Sequence, residues 1–232
     1  MAQPDYELFN RNWSIYQKII RGDYMRHQTI GGMAADVFRT LEGTPAEMID
    51  LGCGDAQEIA RQARPFPVKS FTGFDLSAMA LQIARKNLDY LPDLSLRCEP
   101  LESVNQEPEH SVNFVFSGYA IHHLEDSVKK DVLKDIYRIL RPGGHFLLAD
   151  VFRKHGKSRQ EYMDQYFALV KSDWTDLTAE DVHEVIDHIQ TSDYPADSGE
   201  FTAWINDAGF ELINYDTNDE QHLIYRFRKP EA

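Results

Sequence analysis

Two apolar stripes run through the first 42 residues. Their members recur three or four positions apart: Phe9, Trp13, Tyr16 and Ile20 in the first stripe, and Ile30, Ala34, Val37 and Leu41 in the second. Side chains with this spacing lie on one face of an α-helix, so the pattern predicts two amphipathic helices. Gly22 and Asp23 are expected to separate them. An aromatic helix in this position could pack on a core or cover a ligand pocket.

Short apolar runs alternate with helical patterns from residue 46 to residue 152. The runs predicted as strands are 47–51, 70–76, 94–98, 112–116 and 145–151. Helical spacing is clearest over 78–90, where Ser77 is a predicted N-cap, and over 126–140. Strands that alternate with helices predict right-handed βαβ units and a parallel sheet.

The pattern changes after residue 152. Residues 153–208 contain helical spacing and no strand signal, with Thr178 and either Asp197 or Ser198 as predicted N-caps. Residues 210–215 and 222–228 follow as two strands joined by a short polar turn, which predicts an antiparallel hairpin. The fold class is therefore α/β, a Rossmann-like doubly wound sheet, mostly parallel, with an antiparallel C-terminal hairpin strand and a helical cap.

One domain spanning residues 1–232 accounts for this order of elements. We expect residues 1–45 to form an N-terminal helical lid and residues 153–208 to form a helical cap insertion. Residues 46–152 and 209–232 would then form the Rossmann-like core. A chain of 232 residues is long enough for one well-packed core of this kind.

The charge balance limits the classes of partner. The formal net charge is −14 at pH 7, and such a surface repels phosphate backbones, so no nucleic-acid partner is expected. A bilayer span needs about 18 consecutive apolar residues, which the chain does not contain, and no signal peptide is apparent. We expect a cytoplasmic monomer or homodimer.

A glycine-rich turn carries the strongest chemical signal. It follows the first predicted strand, at Gly52, Cys53 and Gly54, and glycine lets a ligand approach the backbone closely. Asp50 precedes the turn and would repel a pyrophosphate, but it could hold a cationic amine. Asp75 ends the next strand, where a carboxylate can accept hydrogen bonds from ribose hydroxyls. Acidic groups at both places suit a nucleoside that carries an amino acid and no phosphate.

Six segments in this order and spacing resemble the class I S-adenosylmethionine-dependent methyltransferases, in the branch that acts on small molecules. They are Asp50–Gly54, Phe74–Ser77, Cys98–Leu101, Phe114–Leu124, Ile139–Phe146 and Ala208–Glu211. The chain departs from the family pattern at Ala56, which replaces a third glycine, and at Glu99, where Asp is common. The adenine contact is therefore the least defined part of the resemblance.

The resemblance implies a cofactor, S-adenosylmethionine, and a set of residues that bind it. These are Asp50, Gly52, Cys53, Gly54, Asp75, Leu76, Glu99, Pro100 and Ser117, to which we add Tyr24 from the N-terminal segment. The implied activity is in-line transfer of a methyl group to a nitrogen, oxygen or sulfur nucleophile. Because a sulfonium is already an activated leaving group, the enzyme mainly has to position the reactants.

His122 is the candidate catalytic residue, since a histidine with a near-neutral pKa can take a proton from an acceptor. Candidate substrate-binding residues combine apolar surface with a polar tip, namely Tyr16, His27, Tyr119, His123, Arg153, Tyr162 and Tyr166. No metal is expected, because adjacent residues such as His122 and His123 rarely point to one face and Asp126 does not complete a ligand spacing.

Three other functions are compatible with parts of this pattern. An RNA- or tRNA-modifying enzyme that uses S-adenosylmethionine or a carboxylated derivative would need a basic groove, which the sequence does not show. A non-catalytic S-adenosylmethionine-binding protein would keep the same cofactor residues. A nicotinamide dehydrogenase would need the third glycine that Ala56 replaces. The sequence does not name the methyl acceptor.

Overall fold

A computed structural model describes residues 6–41, 43–216 and 218–231. Within them, the α-helices are α1 (Tyr6–Arg21), α2 (His27–Thr40), α3 (Gln57–Ala63), α4 (Ala78–Asn87), α5 (Asp126–Ile139), α6 (Arg159–Asp173), α7 (Ala179–Ser192) and α8 (Ser198–Ala208). The strands are β1 (Ala46–Leu51), β2 (Val68–Phe74), β3 (Leu94–Arg97), β4 (Val112–Gly118), β5 (Leu140–Arg153), β6 (Ala196–Asp197), β7 (Glu211–Asp216) and β8 (His222–Arg228). Two 3₁₀ turns span Leu101–Gln106 and Ile121–His123.

The strands form one sheet in the order β3-β2-β1-β4-β5-β8-β7, with β6 beside β5. Strands β1 to β5 pair in parallel, and β8 is antiparallel to both of its neighbours. This arrangement confirms the predicted fold class. The strand order reverses between β1 and β4, and ligands of open α/β sheets bind at the carboxyl ends of the strands at such a switch point.

Helices cover both faces of the sheet, which explains why its central strands are apolar throughout. On one face, α5 and α8 pack on β4, β5 and β8 through a cluster that includes Phe146, Phe201 and Phe227. On the other face, α2, α3 and α4 pack through a cluster that includes Phe38 and Phe114. Because helices pack on both faces of the sheet, the carboxyl ends of its strands are rigidly positioned and can support a binding site.

The structure corrects four details of the predicted elements. Strand β2 spans Val68–Phe74 rather than 70–76. Strand β5 begins at Leu140, which pairs with Val112, and the ladder shifts register before His145; Gly143, at φ 77°, lets the backbone bend there. Strand β6 lies inside the segment where no strand was predicted, because it is only two residues long. Helix α4 ends at Asn87 rather than at Tyr90.

The N-terminal segment and residues 153–208 pack against each other. Ile15 and Ile19 of α1 join a third apolar cluster with residues of α6 and α7, and Lys18 Nζ lies 2.6 Å from Asp181 Oδ2. The ring of Tyr24 stacks on Trp174 at a centroid distance of 5.5 Å. The two segments therefore form one layer over the carboxyl edge of the sheet. The domain boundaries given above stay predictions.

Along the described part of the chain, the helices are too short or too polar to cross a bilayer.

Candidate active site

The turn after β1 has the backbone that its glycines predict. Gly52 and Gly54 adopt φ values of 73° and 51°, and Ala56, where the family has a third glycine, adopts 52°. The amides of Gly52 and Cys53 both donate to Phe74 O, at 2.8 and 2.9 Å, which ties the turn to the end of β2. A Cβ on Gly52 would lie 2.3 Å from Ala120 Cβ, whereas a Cβ on Gly54 would have no heavy atom within 4 Å. The turn therefore has one packed side and one open side.

Three carboxylates surround this turn. Asp50 is only 2% exposed, and its Oδ1 has no hydrogen-bond partner among the described residues. Burial, together with the charges of Asp75 and Asp55, raises the pKa of Asp50 well above its ordinary value. Asp55 is also buried, with Oδ2 lacking a partner in the same described set. Buried carboxylate oxygens without partners are costly, which indicates that a cationic group completes this cleft when it is bound.

Asp75 connects the turn to the next strand. Its Oδ2 accepts from Gly54 N at 2.8 Å and its Oδ1 accepts from Ser77 N at 2.7 Å, so the carboxylate is held at the rim of the cleft. Leu76, beside it, is 75% exposed. Glu99 and Pro100 follow β3, whose Arg97 pairs with Phe74 of β2. These predicted cofactor residues therefore line one edge of the cleft.

Two other predicted cofactor residues lie below the surface of the cleft. The hydroxyl of Ser117 is completely buried and donates to Leu51 O at 3.1 Å, which joins β4 to β1. The thiol of Cys53 is buried against Gly73, and burial raises its pKa. Both side chains are packed beneath the turn, and their contact with the cofactor stays a prediction.

A cavity of about 500 Å³ lies beside the cleft, between the ends of β4 and β5 and the layer formed by α1, α6 and α7. Its walls combine aliphatic, aromatic and ionisable side chains, among them Ile15, Tyr16, Met25, Tyr119, His122, Val151, Tyr166, Trp174, His188 and Asp193. Small-molecule pockets commonly have this size and mixed lining. Five of the eight predicted catalytic and substrate-binding residues are in these walls: Tyr16, Tyr119, His122, His123 and Tyr166.

Tyr16 and Tyr119 mark the junction between cavity and cleft. Burial and the charges of Asp55, Asp50 and Asp75 raise the pKa of Tyr16, so its phenol lies within reach of the acidic cleft. The side chain is nevertheless 38% exposed, as expected for one that lines a cavity. Tyr119 has a φ of 53° and donates its hydroxyl to Met25 O, which places its ring against the N-terminal segment.

His122 lies between two carboxylates. Its Nδ1 is 2.5 Å from Asp150 Oδ1, and its Nε2 is 3.5 Å from Asp193 Oδ1. Burial lowers the pKa of the imidazole, but the carboxylates of Asp150 and Asp193 outweigh that effect and raise the pKa to about 10. The ring is therefore protonated at neutral pH in this arrangement, which does not favour the predicted role of His122 as a proton acceptor.

A hydrogen-bonded chain that sequence reasoning missed reaches the cavity through Tyr166. The hydroxyl of Tyr166 is 2.7 Å from His222 Nε2, and His222 Nδ1 is 2.8 Å from Asp219 Oδ2. Because Nδ1 faces a carboxylate, it carries the proton and Nε2 accepts from the tyrosine. His222 and Asp219 belong to the predicted hairpin, 56 residues from Tyr166, so no local motif joins them.

Four predicted site residues lie outside both the cleft and the cavity walls. Tyr24 OH accepts from Asp176 N at 2.9 Å, and Arg153 Nε donates to Pro195 O at 2.8 Å. Tyr162 is 2% exposed and stacks behind Tyr166 at 5.4 Å. His27 is buried behind Tyr16 and Tyr119, at ring distances of 6.2 and 5.8 Å. These side chains hold the cap and the cavity rings in place.

The expectation that His122 and His123 diverge is wrong for this backbone. They share the tight 3₁₀ turn at the end of β4, and their ring centroids are 4.0 Å apart. His123 Nδ1 lies 3.4 Å from Asp193 Oδ1, which His122 Nε2 also faces. The turn therefore brings both rings to the same carboxylate.

Comparisons with known proteins show that the chain is similar to methyltransferases. A family model described as a methyltransferase domain matches residues 48–144, the segment that carries the turn, Asp75 and the histidine pair. A demethylmenaquinone methyltransferase of Listeria welshimeri is 25% identical over 185 residues, covering 77% of this chain and 75% of the relative. A trans-aconitate 2-methyltransferase of Deinococcus radiodurans is 32% identical over 99 residues, which are 43% of this chain and 35% of that longer protein.

A solved structure shows the same fold over the whole chain. It is the 1,6-didemethyltoxoflavin-N1-methyltransferase of Burkholderia thailandensis, with bound 1,6-didemethyltoxoflavin and S-adenosylhomocysteine. The match covers 100% of this chain and 92% of that one, with a TM-score of 0.60 and 16% identity. At this identity the likeness concerns the fold.

Proposed function

We propose that this chain, a class I S-adenosylmethionine-dependent methyltransferase, methylates a small-molecule nucleophile held in the cavity beside the cofactor cleft. The observation that carries the proposal is the position of Tyr16 and Tyr119, which both line the cavity. Tyr16 is close enough to the cleft carboxylates for their charges to raise its pKa, and Tyr119 precedes Ala120, which lies against Gly52 of the turn. An acceptor in this cavity would lie next to the cofactor and be separated from bulk water by α1, α6 and α7. Relatives named for small-molecule acceptors support the proposal.

The residues of the cleft fit the cofactor, S-adenosylmethionine. The partnerless Oδ1 of Asp50 would accept from its ammonium group, and the open side of Gly54 leaves room for its backbone approach. Asp75, fixed by two amides, would accept from the ribose hydroxyls. The exposed apolar surface of Leu76 would pack on the adenine.

When bound, S-adenosylmethionine supplies a methyl group on a positively charged sulfur. The protein's contribution is chiefly orientation, which can lower the barrier by roughly 7–11 kcal/mol in the best-aligned cases. Tyr119 is held rigidly by Met25 O and by its packing on His27 and His222. Such a ring can keep an acceptor in line with the donor.

Tyr166 is the proposed general base for a methyl acceptor that binds with its proton still attached. The O–H or N–H group of the methyl acceptor would donate its proton to the oxygen of Tyr166. The tyrosine proton would move at the same time to His222 Nε2 along the existing 2.7 Å hydrogen bond. Asp219 would stabilise the resulting imidazolium through its 2.8 Å contact with Nδ1. Burial raises the pKa of Tyr166, which disfavours a free phenolate and favours this relay.

A screen for S-adenosylhomocysteine release tests the proposal. Purified protein with S-adenosylmethionine is incubated with a panel of small amines, phenols, carboxylic acids and thiols, with tRNA as a separate arm. We expect turnover with at least one small acceptor and none with tRNA. Turnover with tRNA alone, or binding of S-adenosylmethionine without turnover on any acceptor, would contradict the proposal and favour one of the two alternative functions.

Replacement of the proton relay should lower turnover without weakening cofactor binding. General base catalysis contributes about 10²–10⁴-fold, so Tyr166→Phe and His222→Gln should each reduce kcat about 100-fold on a hydroxyl or amine acceptor. The matched control is Tyr162→Phe, since that ring stacks on Tyr166 outside the cavity. Steady-state kinetics and S-adenosylmethionine titration measure both effects. Equal losses in Tyr162→Phe and Tyr166→Phe would contradict the relay.

The formal net charge of −14 gives no support to a nucleic-acid substrate. A cytoplasmic location and a monomeric or homodimeric state stay predictions from the sequence.

A further inference from the structure

We propose that His122, His123, His188 and Asp193 form a binding site for one divalent transition-metal ion in the wall of the acceptor cavity. Nitrogen and oxygen ligand atoms of His122, His123 and Asp193 all lie within 4.8 Å of one another. His188 Nε2 is a further 3.9 Å from the same oxygen of Asp193. The proposal depends on the proposed function only for the role of the cavity, since metal binding requires neither cofactor nor acceptor.

The separations between these atoms match the edges of a metal polyhedron. Asp193 Oδ1 lies 3.5 Å from His122 Nε2 and 3.4 Å from His123 Nδ1. Ligand atoms that stand about 2.0–2.1 Å from a tetrahedral Zn²⁺ are about 3.4 Å apart. The same separations are too long for strong hydrogen bonds, so the rings satisfy Asp193 Oδ1 poorly. His123 Nδ1 also lies 3.0 Å from Ser192 O, a contact that it would give up to bind the ion.

The central oxygen of the cluster needs a partner. Asp193 is 3% exposed, and its Oδ1 has no hydrogen-bond partner among the described residues. Three imidazole rings nevertheless face it, from the turn after β4 and from α7. A cation between the rings and the carboxylate would satisfy this oxygen. That is the second observation, beside the ligand set itself, that indicates a bound ion.

The second ring nitrogen of His122 is hydrogen-bonded in the way that is usual for metal-binding histidines. A metal-binding histidine usually turns its second ring nitrogen to a carboxylate, which fixes the ring and its tautomer. Asp150 has this position on His122, with Oδ1 2.5 Å from Nδ1, and its Oδ2 also accepts from the His122 amide at 3.0 Å. Nε2 is therefore aimed at Asp193, and the ion would displace the proton that this nitrogen carries in the metal-free protein.

The donor set indicates which ion is bound. Imidazole nitrogens suit Zn²⁺, Co²⁺, Ni²⁺ and Fe²⁺, whereas Mg²⁺ and Ca²⁺ prefer all-oxygen sites. His188 is on the exposed surface of α7, with 61% of its side chain accessible, so it can close on the ion from the solvent side. With these four protein ligands in place, an acceptor oxygen or nitrogen would bind as a fifth ligand from the cavity side.

Cobalt titration tests the site without any methyl-transfer assay. Untagged full-length protein is treated with chelator, dialysed and titrated with Co²⁺, whose visible absorption reports four- or five-coordinate nitrogen and oxygen ligation. We expect saturation at one equivalent and displacement by Zn²⁺. His188→Ala and His123→Ala should each weaken Co²⁺ binding at least tenfold, and Asp193→Asn should do the same. His183→Ala is the control, since His183 is an exposed histidine of the same helix.

Each possible result either supports or contradicts the site. Loss of the visible band in the three ligand variants, with normal binding in His183→Ala, supports it. Absence of a band in the wild type, or equal affinity in all variants, would overturn it. The two exposed positions keep the test valid if Asp193→Asn fails to fold. S-adenosylmethionine titration of the same samples shows separately whether the cofactor cleft is intact, so failure of the metal site is distinguishable from failure of the proposed function.

Discussion

Asp50→Asn is expected to weaken binding of S-adenosylmethionine about 30-fold or more while leaving the protein without cofactor at least as stable as the wild type. Removing one partner of a buried, hydrogen-bonded charge pair costs about 2 kcal/mol or more, and a tenfold change in affinity corresponds to about 1.4 kcal/mol. In this case the pair would consist of the Asp50 carboxylate and the cofactor ammonium. The neutral amide keeps the shape of the side chain and removes its charge.

The stability part of this prediction follows from the sign of the pKa shift. Burial and the neighbouring carboxylates raise the pKa of Asp50 in the folded protein. The ionised side chain therefore destabilises the fold at neutral pH. This cost develops as the pH rises through the interval between the unfolded and folded pKa values, and it is absent at lower pH. An uncharged Asn does not carry the cost, so the gain in unfolding temperature should be larger at pH 7.5 than at pH 4.

Calorimetric titration and thermal unfolding measure the two effects on the same samples. Asp36→Asn is the control, since Asp36 is an exposed carboxylate on α2 that pairs with Arg39. Weakened cofactor binding together with a clear loss of stability would show that Asp50 acts through folding. Unchanged cofactor binding would show that Asp50 does not contact the cofactor.

Gly52→Ala is expected to lower the stability of the fold, whereas Gly54→Ala is expected mainly to weaken cofactor binding, although both glycines have positive φ. At Gly52 a Cβ would meet Ala120 Cβ at 2.3 Å, so the methyl group adds a clash to the backbone strain. Strain of about 1–2 kcal/mol and overpacking of about 1–3 kcal/mol predict a loss of about 2–5 kcal/mol. For a chain of this size that loss lowers the unfolding temperature by about 5–15 °C.

Gly54→Ala should fold almost normally and bind the cofactor poorly. Its Cβ would point into open space, so only the backbone strain of about 1–2 kcal/mol applies. That space is where the cofactor would approach the turn, and a methyl group there should weaken S-adenosylmethionine binding at least tenfold. Thermal unfolding and titration of both variants check the contrast. Normal cofactor affinity in Gly54→Ala would place the cofactor elsewhere.

Short-range patterns accounted for the cofactor cleft because its parts are local. The turn at Gly52 and Gly54 follows directly on a buried strand, and Asp75 comes directly after the strand that pairs with it. Parallel pairing then brings these residues to one edge of the sheet. The complete burial of a residue such as Ser117 could not be predicted, since burial is not a local property.

The acceptor cavity could be predicted only in part. The aromatic stripe of α1 and the residues after β4 indicated its location, and the structure places Tyr16 and Tyr119 in its walls. The pairing of Tyr166 with His222 could not be predicted, because the two residues belong to elements far apart in the sequence. The same holds for Asp193, which meets His122 and His123 through the return of the chain after α7.

The sequence by itself determined the alternation of strands and helices, the fold class, the cofactor turn and the family, because each depends on periodicity or on residues a few positions apart. The tertiary structure decided the protonation of His122, the relay behind Tyr166 and the cluster around Asp193. Those properties depend on which charges and rings meet after the cap folds onto the sheet. Electrostatic and hydrogen-bond energies change steeply with distance and burial, and both are determined by packing between distant segments.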